Sequence, residues 1–537
     1  MVNPTKIYGS TGLLQCFELK YTPRQSSCLG HPGIVLCPGP SHMSSRTSRG
    51  LAYERLPCED IDTAACEGSL DSDIGLQNAI CDEFPDRQRV EQNLLRKVDL
   101  RMSILVLIYI LNYIDRNNAA AARLRGFEDD LHLEGQQFNT ILSILYVGYT
   151  LMQVPSNMYL NKIGRPSIYL PICMAIWGLI SVLTGTTKGF LGAVCTRFFL
   201  GFVEAAFFPG ALFLLSKWYK RRELGQRTAI LSCGIMISNA FGSLLASAIL
   251  DGMDGVMGIA AWRWLFYIEG SMTICVAICA IFILPDFPAT TTSSSWLTAE
   301  EQVLAQLRME EDAGVDDETE CSKGGESGLK QAFADWKVWW LALAMAVLNV
   351  LLSFNAFFPT LSATLGYSST VSLLLCSPPW LFATCVAFLM SRHSDATGER
   401  FGHIMIPLLV GIAGFMMAMA TMNTAVRYLS LFLMAQSYTA FVVYWAWVSN
   451  SIPRPTSKRA VALAFINAFS SLGNIAGSYV WPKSWGPAYW NSYAICIGSG
   501  ILCIVMSWIF RRHLVRLNQE IEANKTEEGL EDFTYLL

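Results

Sequence analysis

Phe190–Leu215 reads FLGAVCTRFFLGFVEAAFFPGALFLL, an apolar run in which only Arg197 and Glu204 are charged. On a helix, a spacing of seven returns to within about 20° of the same face, about 10 Å further along the axis. Arg197, Gly201 and Glu204 therefore share one stripe of a helix long enough to cross about 30 Å of hydrocarbon. Each charge at the centre of such a helix costs about 2.5–3.5 kcal/mol even on lenient insertion scales, so the stripe is expected to face protein or water. That makes it a candidate site. A similar pair, Asp115 and Arg116, lies late in RMSILVLIYILNYIDRNNAAAA, residues 101–122, which points to a shared polar interior.

Working outward, further membrane-length apolar windows occur near 100–122, 139–160, 167–186, 228–250 and 264–284, and again near 337–358, 370–391, 403–422, 428–449, 460–481 and 490–510. With the opening run they make twelve, in two groups of six. Hydrophobic residues are 52% of the 537 and charged residues only 15%, a balance that excludes a water-facing surface of ordinary composition. The expected fold class is an all-α membrane protein of twelve transmembrane helices in two pseudo-symmetric six-helix bundles. The expected divisions are an unstructured cytosolic tail over 1–92, bundles over 93–285 and 336–512, a cytosolic central loop over 286–335, and a cytosolic tail over 513–537. Composition of the first 40 residues further suggests Met43 as the true start.

Orientation follows from the basic residues of the short connections, which are retained on the cytoplasmic side. Lys162, Arg165, Lys217, Lys220, Arg221, Arg222, Arg227, Arg392, Arg400, Arg454, Lys458 and Arg459 all fall in loops of one side when the N-terminus is placed inside. Both termini are then cytosolic, in the plasma membrane. The net charge of −4 implies no nucleic-acid partner. Six of sixteen cysteines fall in the N-terminal tail, where a reducing cytosol disfavours disulfides, and no pair has zinc-ribbon spacing. No nucleophile and base constellation, phosphate-binding glycine loop or metal cluster is present, so neither an enzyme nor a cofactor is expected.

Several stretches carry a resemblance. LNYIDR (111–116), PSNMYLNKIGR (155–165), RFFLGFVEAAFFPG (197–210), WYKRRELGQR (218–227), WRWLFYIEG (262–270), SPPW (377–380) and KRAVALAFINAFSSLG (458–473) together resemble the anion:cation symporter family of the major facilitator superfamily, and within it the fungal allantoate permease group. The resemblance implies proton-driven uptake of a small organic anion, such as a ureide, a vitamin carboxylate or a short peptide. It also implies alternating access by a monomer, with substrate, protons and the lipid bilayer as partners. Ala121 stands where these relatives often have Asn, so substrate identity does not carry over.

The side chains fit that implication on their own chemistry. A guanidinium can hold a carboxylate through two parallel hydrogen bonds without losing its proton, which makes Arg197 the first candidate cation and Arg116 the second. A buried carboxyl suits proton coupling, so Glu204 and Asp115 are the candidates for that role. The alternative is an ion pair that only locks the fourth helix to the first. Tyr146, Tyr149 and Gln153 share one helix face, with Tyr149 the favoured substrate contact. Asn355, Gln436, Tyr444 and Asn467 would shape the uncharged part of the site. Gly164 and Arg165 remain of the superfamily's inner gating loop. Glu269 is expected to pair with Arg263 as a structural tie. The same fold would also serve a proton antiporter exporting a metabolite or drug, or a nutrient sensor that no longer transports.

Overall fold

The computed structural model describes residues 87–288, 296–313, 328–452, 456–528 and 535–537. The tail expected over 1–92 and the start expected at Met43 lie outside these, apart from 87–92. Those six residues already belong to the first helix, α1 (Arg87–Ala122), because Val90, Leu94 and Val98 continue its apolar spacing and Leu94 and Val98 are buried.

Eleven more long helical elements follow, and no strand occurs among the described residues. They are α2 (Gln137–Ile163), α3 (Pro166–Thr184), α4 (Phe190–Glu204, resuming as Phe207–Trp218), α5 (Arg221–Gly252) and α6 (Ala261–Ile283). The second set is α7 (Trp336–Leu352, resuming as Phe358–Ala363), α8 (Ser369–Thr397), α9 (Phe401–Ala420), α10 (Thr424–Ala435, resuming as Ser437–Ser451), α11 (Thr456–Ser478) and α12 (Trp490–Glu528). By length and composition, ten of the described helices are apolar enough to cross a membrane. The other two, α1 and α2, occupy the places of the first two expected spans with more polar sequences. α12 continues past 512, since Leu514 stays buried on its inner face.

Packing repeats at an offset of six helices. α1 rests on α5 and α6 as α7 rests on α11 and α12, while α3 rests on α4 and α6 as α9 rests on α10 and α12. The two seams between the halves repeat as well, α2 against α11 and α5 against α8. Close approach within a half depends on glycine at crossings. A methyl on Gly201 of α4 would collide with the Leu145 carbonyl of α2, and one on Gly473 of α11 with the Ala346 carbonyl of α7. With no hydrophobic drive between helices in lipid, such backbone proximity supplies the association.

Hydrogen bonds between the halves gather at the end remote from the chain termini. The Tyr479 hydroxyl lies 3.1 Å from Thr140 Oγ1 and 3.2 Å from Ser143 Oγ, and Ser247 Oγ donates to the Thr370 carbonyl at 3.0 Å. Arg125 reaches Thr370 Oγ1 at 3.0 Å, and Lys483 pairs with Glu128 at 3.1 Å. This end is sealed.

The connection between the halves contains a surface helix, Ala299–Ala313. Its cap is reciprocal: Glu301 N donates to Thr298 Oγ1 at 3.2 Å, and Thr298 N donates to Glu301 Oε2 at 2.9 Å. The helix is tied to the first half, because Arg308 is buried between Glu91 of α1 at 2.6 Å and Glu223 of α5 at 2.7 Å.

Candidate functional site

Three helices are interrupted, and each carries a candidate residue at its break. Glu204 is the last residue before the gap in α4, Asn355 lies in the 3-10 turn Ser353–Phe357 of α7, and Gln436 is the junction in α10. Two of the breaks follow from proline. Pro209 lacks the N–H that the Ala205 carbonyl would accept, and Pro359 lacks the one for Asn355. The third has a side-chain cause: Gln436 Nε2 donates to the Phe432 carbonyl at 3.1 Å, and the Gln436 backbone N–H turns to Leu433 at 3.2 Å. Irregular backbone within a membrane is tolerated where protein or a cavity satisfies the freed groups, which is where transporters place their sites.

Arg116 is the centre of the arrangement. Its Nε and Nη2 donate to Glu204 Oε2 at 3.1 and 2.9 Å, with both side chains buried. Tyr113, Tyr149 and Tyr146 surround the guanidinium at 4.8, 4.9 and 5.9 Å from their ring centres. Such a cage holds a cation by the ring faces and keeps water away. Its Nη1 edge donates to no side chain or carbonyl among the described residues. Tyr438 of α10 faces this cage from the other half beside Asn355, while the Tyr149 hydroxyl lies near Asn467 of α11. Arg116, Tyr149, Glu204, Asn355 and Asn467 are thus brought together.

Arg197 is placed differently from the expectation. Its Nη1 donates to the carbonyls of Asp115 and Arg116 at 3.2 Å each, and its Nη2 to Asn118 Oδ1 at 2.6 Å. With 1% of its surface exposed and Phe266 against its guanidinium, it clamps α4 to the backbone of α1. The shared stripe does not make a partner of Glu204: both side chains reach across to α1 instead, Glu204 to Arg116 and Arg197 to the backbone and Asn118. Asp115 is likewise enclosed, accepting from Ser181 Oγ of α3 at 2.9 Å and Thr273 Oγ1 of α6 at 2.7 Å. It ties three helices.

The remaining candidates separate. Gln436 is buried at the α10 break. Tyr444 points away from the centre, toward Trp447 and toward Cys503 and Ser507 of α12, so the expectation of a substrate contact there is corrected. Fifteen-residue helix Ser437–Ser451 turns 100° per residue, and Tyr438 rather than Tyr444 takes the inward face. Gly164 ends α2 with φ +66°, a left-handed conformation that favours glycine, and Arg165 beside it is exposed. α8 runs as one helix through Pro378 and Pro379.

Glu269 is the residue that sequence reasoning assigned elsewhere. Arg263, its expected partner, donates instead to the carbonyls of Gly185 and Thr187 at 2.8 and 2.7 Å. Glu269 turns inward, 1% exposed, and lines a small cavity with Asn117, Asn118, Asn239 and Asn355. Its position one helical turn from Thr273 on the Asp115 face was the available signal.

Known proteins place this arrangement. The sequence model of the Major Facilitator Superfamily matches residues 105–478. The MFS-type transporter cnsO of Penicillium expansum is 33% identical over 454 residues, covering 82% of this chain and 85% of that protein. A putative tartrate transporter of Agrobacterium vitis is 28% identical, covering 81% of this chain and 95% of its own length. Among solved structures, the D-xylose–proton symporter superposes with a TM-score of 0.58 at 15% identity, covering 76% of this chain and 97% of the symporter. A bacterial homologue of the lysosomal transporter Spinster, inward-facing and unoccupied, gives 0.54 at 18% identity, covering 77% and 95%. The chain belongs to the Major Facilitator Superfamily and is a multi-pass membrane transporter with that fold, not an enzyme.

Proposed function

We propose that this transporter takes up a small organic anion together with protons by alternating access, as a member of the anion:cation symporter family close to the fungal allantoate permeases. The observation that carries the reading is Arg116 held by Glu204 inside a tyrosine cage where the two halves meet. A substrate carboxylate and Glu204 compete for one guanidinium. When Glu204 takes a proton its claim on Arg116 weakens and the anion can replace it, so anion and proton enter together. Tyr149, Asn355, Gln436 and Asn467 contact the rest of the substrate, and Asp115 with Arg197 keeps α1 in place against α4. Gly164 and Arg165 act at the inner gate.

The sealed end remote from the termini supports an inward-facing state, with both termini in the cytosol and the plasma membrane as location. The divisions given above are kept with the first bundle starting at Arg87 and the last helix running to Glu528, and the unit is a monomer. The relative named for tartrate makes a dicarboxylate one of the probes. The test is uptake of labelled tartrate, allantoate, biotin and a dipeptide by permease-deficient yeast expressing the chain, with and without an uncoupler. Accumulation that collapses with the uncoupler is the expected result. Accumulation that rises with it identifies an exporter, and no uptake of any anion defeats the proposal.

A further inference from the structure

The charges buried at the centre of the first half do not balance. Asp115, Glu204 and Glu269 supply three carboxyls, each with at most 1% of its surface exposed, against the two guanidiniums of Arg116 and Arg197. An uncompensated buried charge costs several kcal/mol, and arginine cannot change its protonation to relieve it. One carboxyl must therefore carry a proton.

The hydrogen bonds say which. Glu204 receives two charge-assisted bonds from Arg116, both at Oε2 while Oε1 has no partner, and Asp115 receives one from each of two hydroxyls. No hydrogen bond of ordinary geometry reaches Glu269: its Oε2 has no partner, Arg197 Nη1 and Nη2 are committed to the Asp115 and Arg116 carbonyls and to Asn118, and Arg197 Nε stays unpartnered rather than turning to it. The groups facing Glu269 are Asp115 and Asn118 from α1, Arg197 from α4, Ser238 and Asn239 from α5, and Asn355 from α7, while Ser181 of α3 is turned to Asp115. Beside it is a cavity of about 40 Å³ with unpartnered Nδ2 groups of Asn118 and Asn239 on its wall or close to it. That is room for about three waters, with enough polar groups to hold them. Water there gives the carboxyl a route for exchange.

We propose that Glu269 carries a resident proton in this conformation and presents its O–H to the polar cavity between α1, α5 and α7. This proton is separate from the one taken up with substrate at Glu204, and the assignment goes beyond the symport reading without depending on it.

Infrared spectroscopy of the full chain reconstituted in liposomes at neutral pH tests this without any substrate. The expected spectrum has the carbonyl stretch of one protonated carboxylic acid, which moves in E269D and is lost in E269Q. It stays in place in E204D and D115E, which preserve the charge count. A band that moves in E204D or D115E but not in E269D, or no such band in the unaltered protein, overturns the proposal. E269D keeps an acid at the site, so the comparison survives if E269Q fails to fold. Uptake that proves insensitive to an uncoupler would remove the symport reading and leave the band assignment standing.

Discussion

Replacing Glu204 by Gln separates the two demands on Arg116. The side chain keeps its shape and one hydrogen-bond acceptor but loses the charge that now holds the guanidinium at 2.9 Å. Opposite charges about 4 Å apart attract by about 4 kcal/mol at an effective dielectric near 20, and an incoming carboxylate must overcome that attraction. Recovering only a third of it tightens anion binding about tenfold. In the unaltered protein, acidification does the same work by protonating Glu204. Anion affinity therefore rises as pH falls, by about tenfold per pH unit where one proton is taken up with each anion. Glu204→Gln is expected to bind the anion at least about tenfold more tightly at neutral pH, with affinity flat against pH. The assay is equilibrium binding of whichever of the four probes the cells accumulate, to protein in lipid nanodiscs across a pH series. Weaker binding that keeps the full pH slope would refute the competition, and with it the role of Arg116 as the anion's partner.

Arg197→Lys loses two of three hydrogen bonds to α1 and is expected to lower stability by about 3 kcal/mol in thermal unfolding, with anion affinity of the folded fraction unchanged. Unaltered stability with lost binding would restore Arg197 as the substrate's ligand. A reducible bis-thiol cross-linker joining Thr140→Cys to Tyr479→Cys, long enough to replace the tyrosine ring that now bridges the seam, fixes the sealed end, so uptake stops and returns on reduction; full uptake by the cross-linked protein counts against a moving seal. At the surface helix, burial raises the Glu301 carboxyl, but bonds from Lys97 and the Thr298 N–H outweigh it and hold the group below its ordinary value of 4.5. A depressed carboxylate stabilises above its unfolded pKa and ceases to as pH falls through the folded one. Hydrogen-exchange protection over Ala299–Ala313, taken relative to the intrinsic rate at each pH, should therefore be high at neutral pH and fall below about pH 4.5, and in Glu301→Gln it should already be low at neutral pH.

The two groups of six helices were legible because the apolar windows are long and most are set off by charge, a signal that survives whatever the helices pack against; between α7 and α8, where 338–391 holds no charge, Pro359 and Gly366 mark the boundary instead. Partners were harder. The seven-residue spacing of Arg197 and Glu204 is correct as geometry, yet it describes one helix alone, and the acceptors that Arg197 uses are backbone carbonyls of α1 that no side-chain pattern announces. The breaks lie between these extremes. Pro209 and Pro359 each stand four residues after the point where the helix opens, so the missing N–H marks Ala205 and Asn355 directly. Gln436 left no such mark, since a glutamine that takes its own helix's carbonyl reads like any other polar residue. Glu269 shows why counting charges in the assembled core adds what periodicity cannot. Beside Arg263 in sequence it reads as half of a neutral pair, and only when Arg263 is found on the Gly185 and Thr187 carbonyls does a third carboxyl appear against two arginines. The surplus belongs to the helices together, and the proton that balances it is a property of their packing rather than of any one segment.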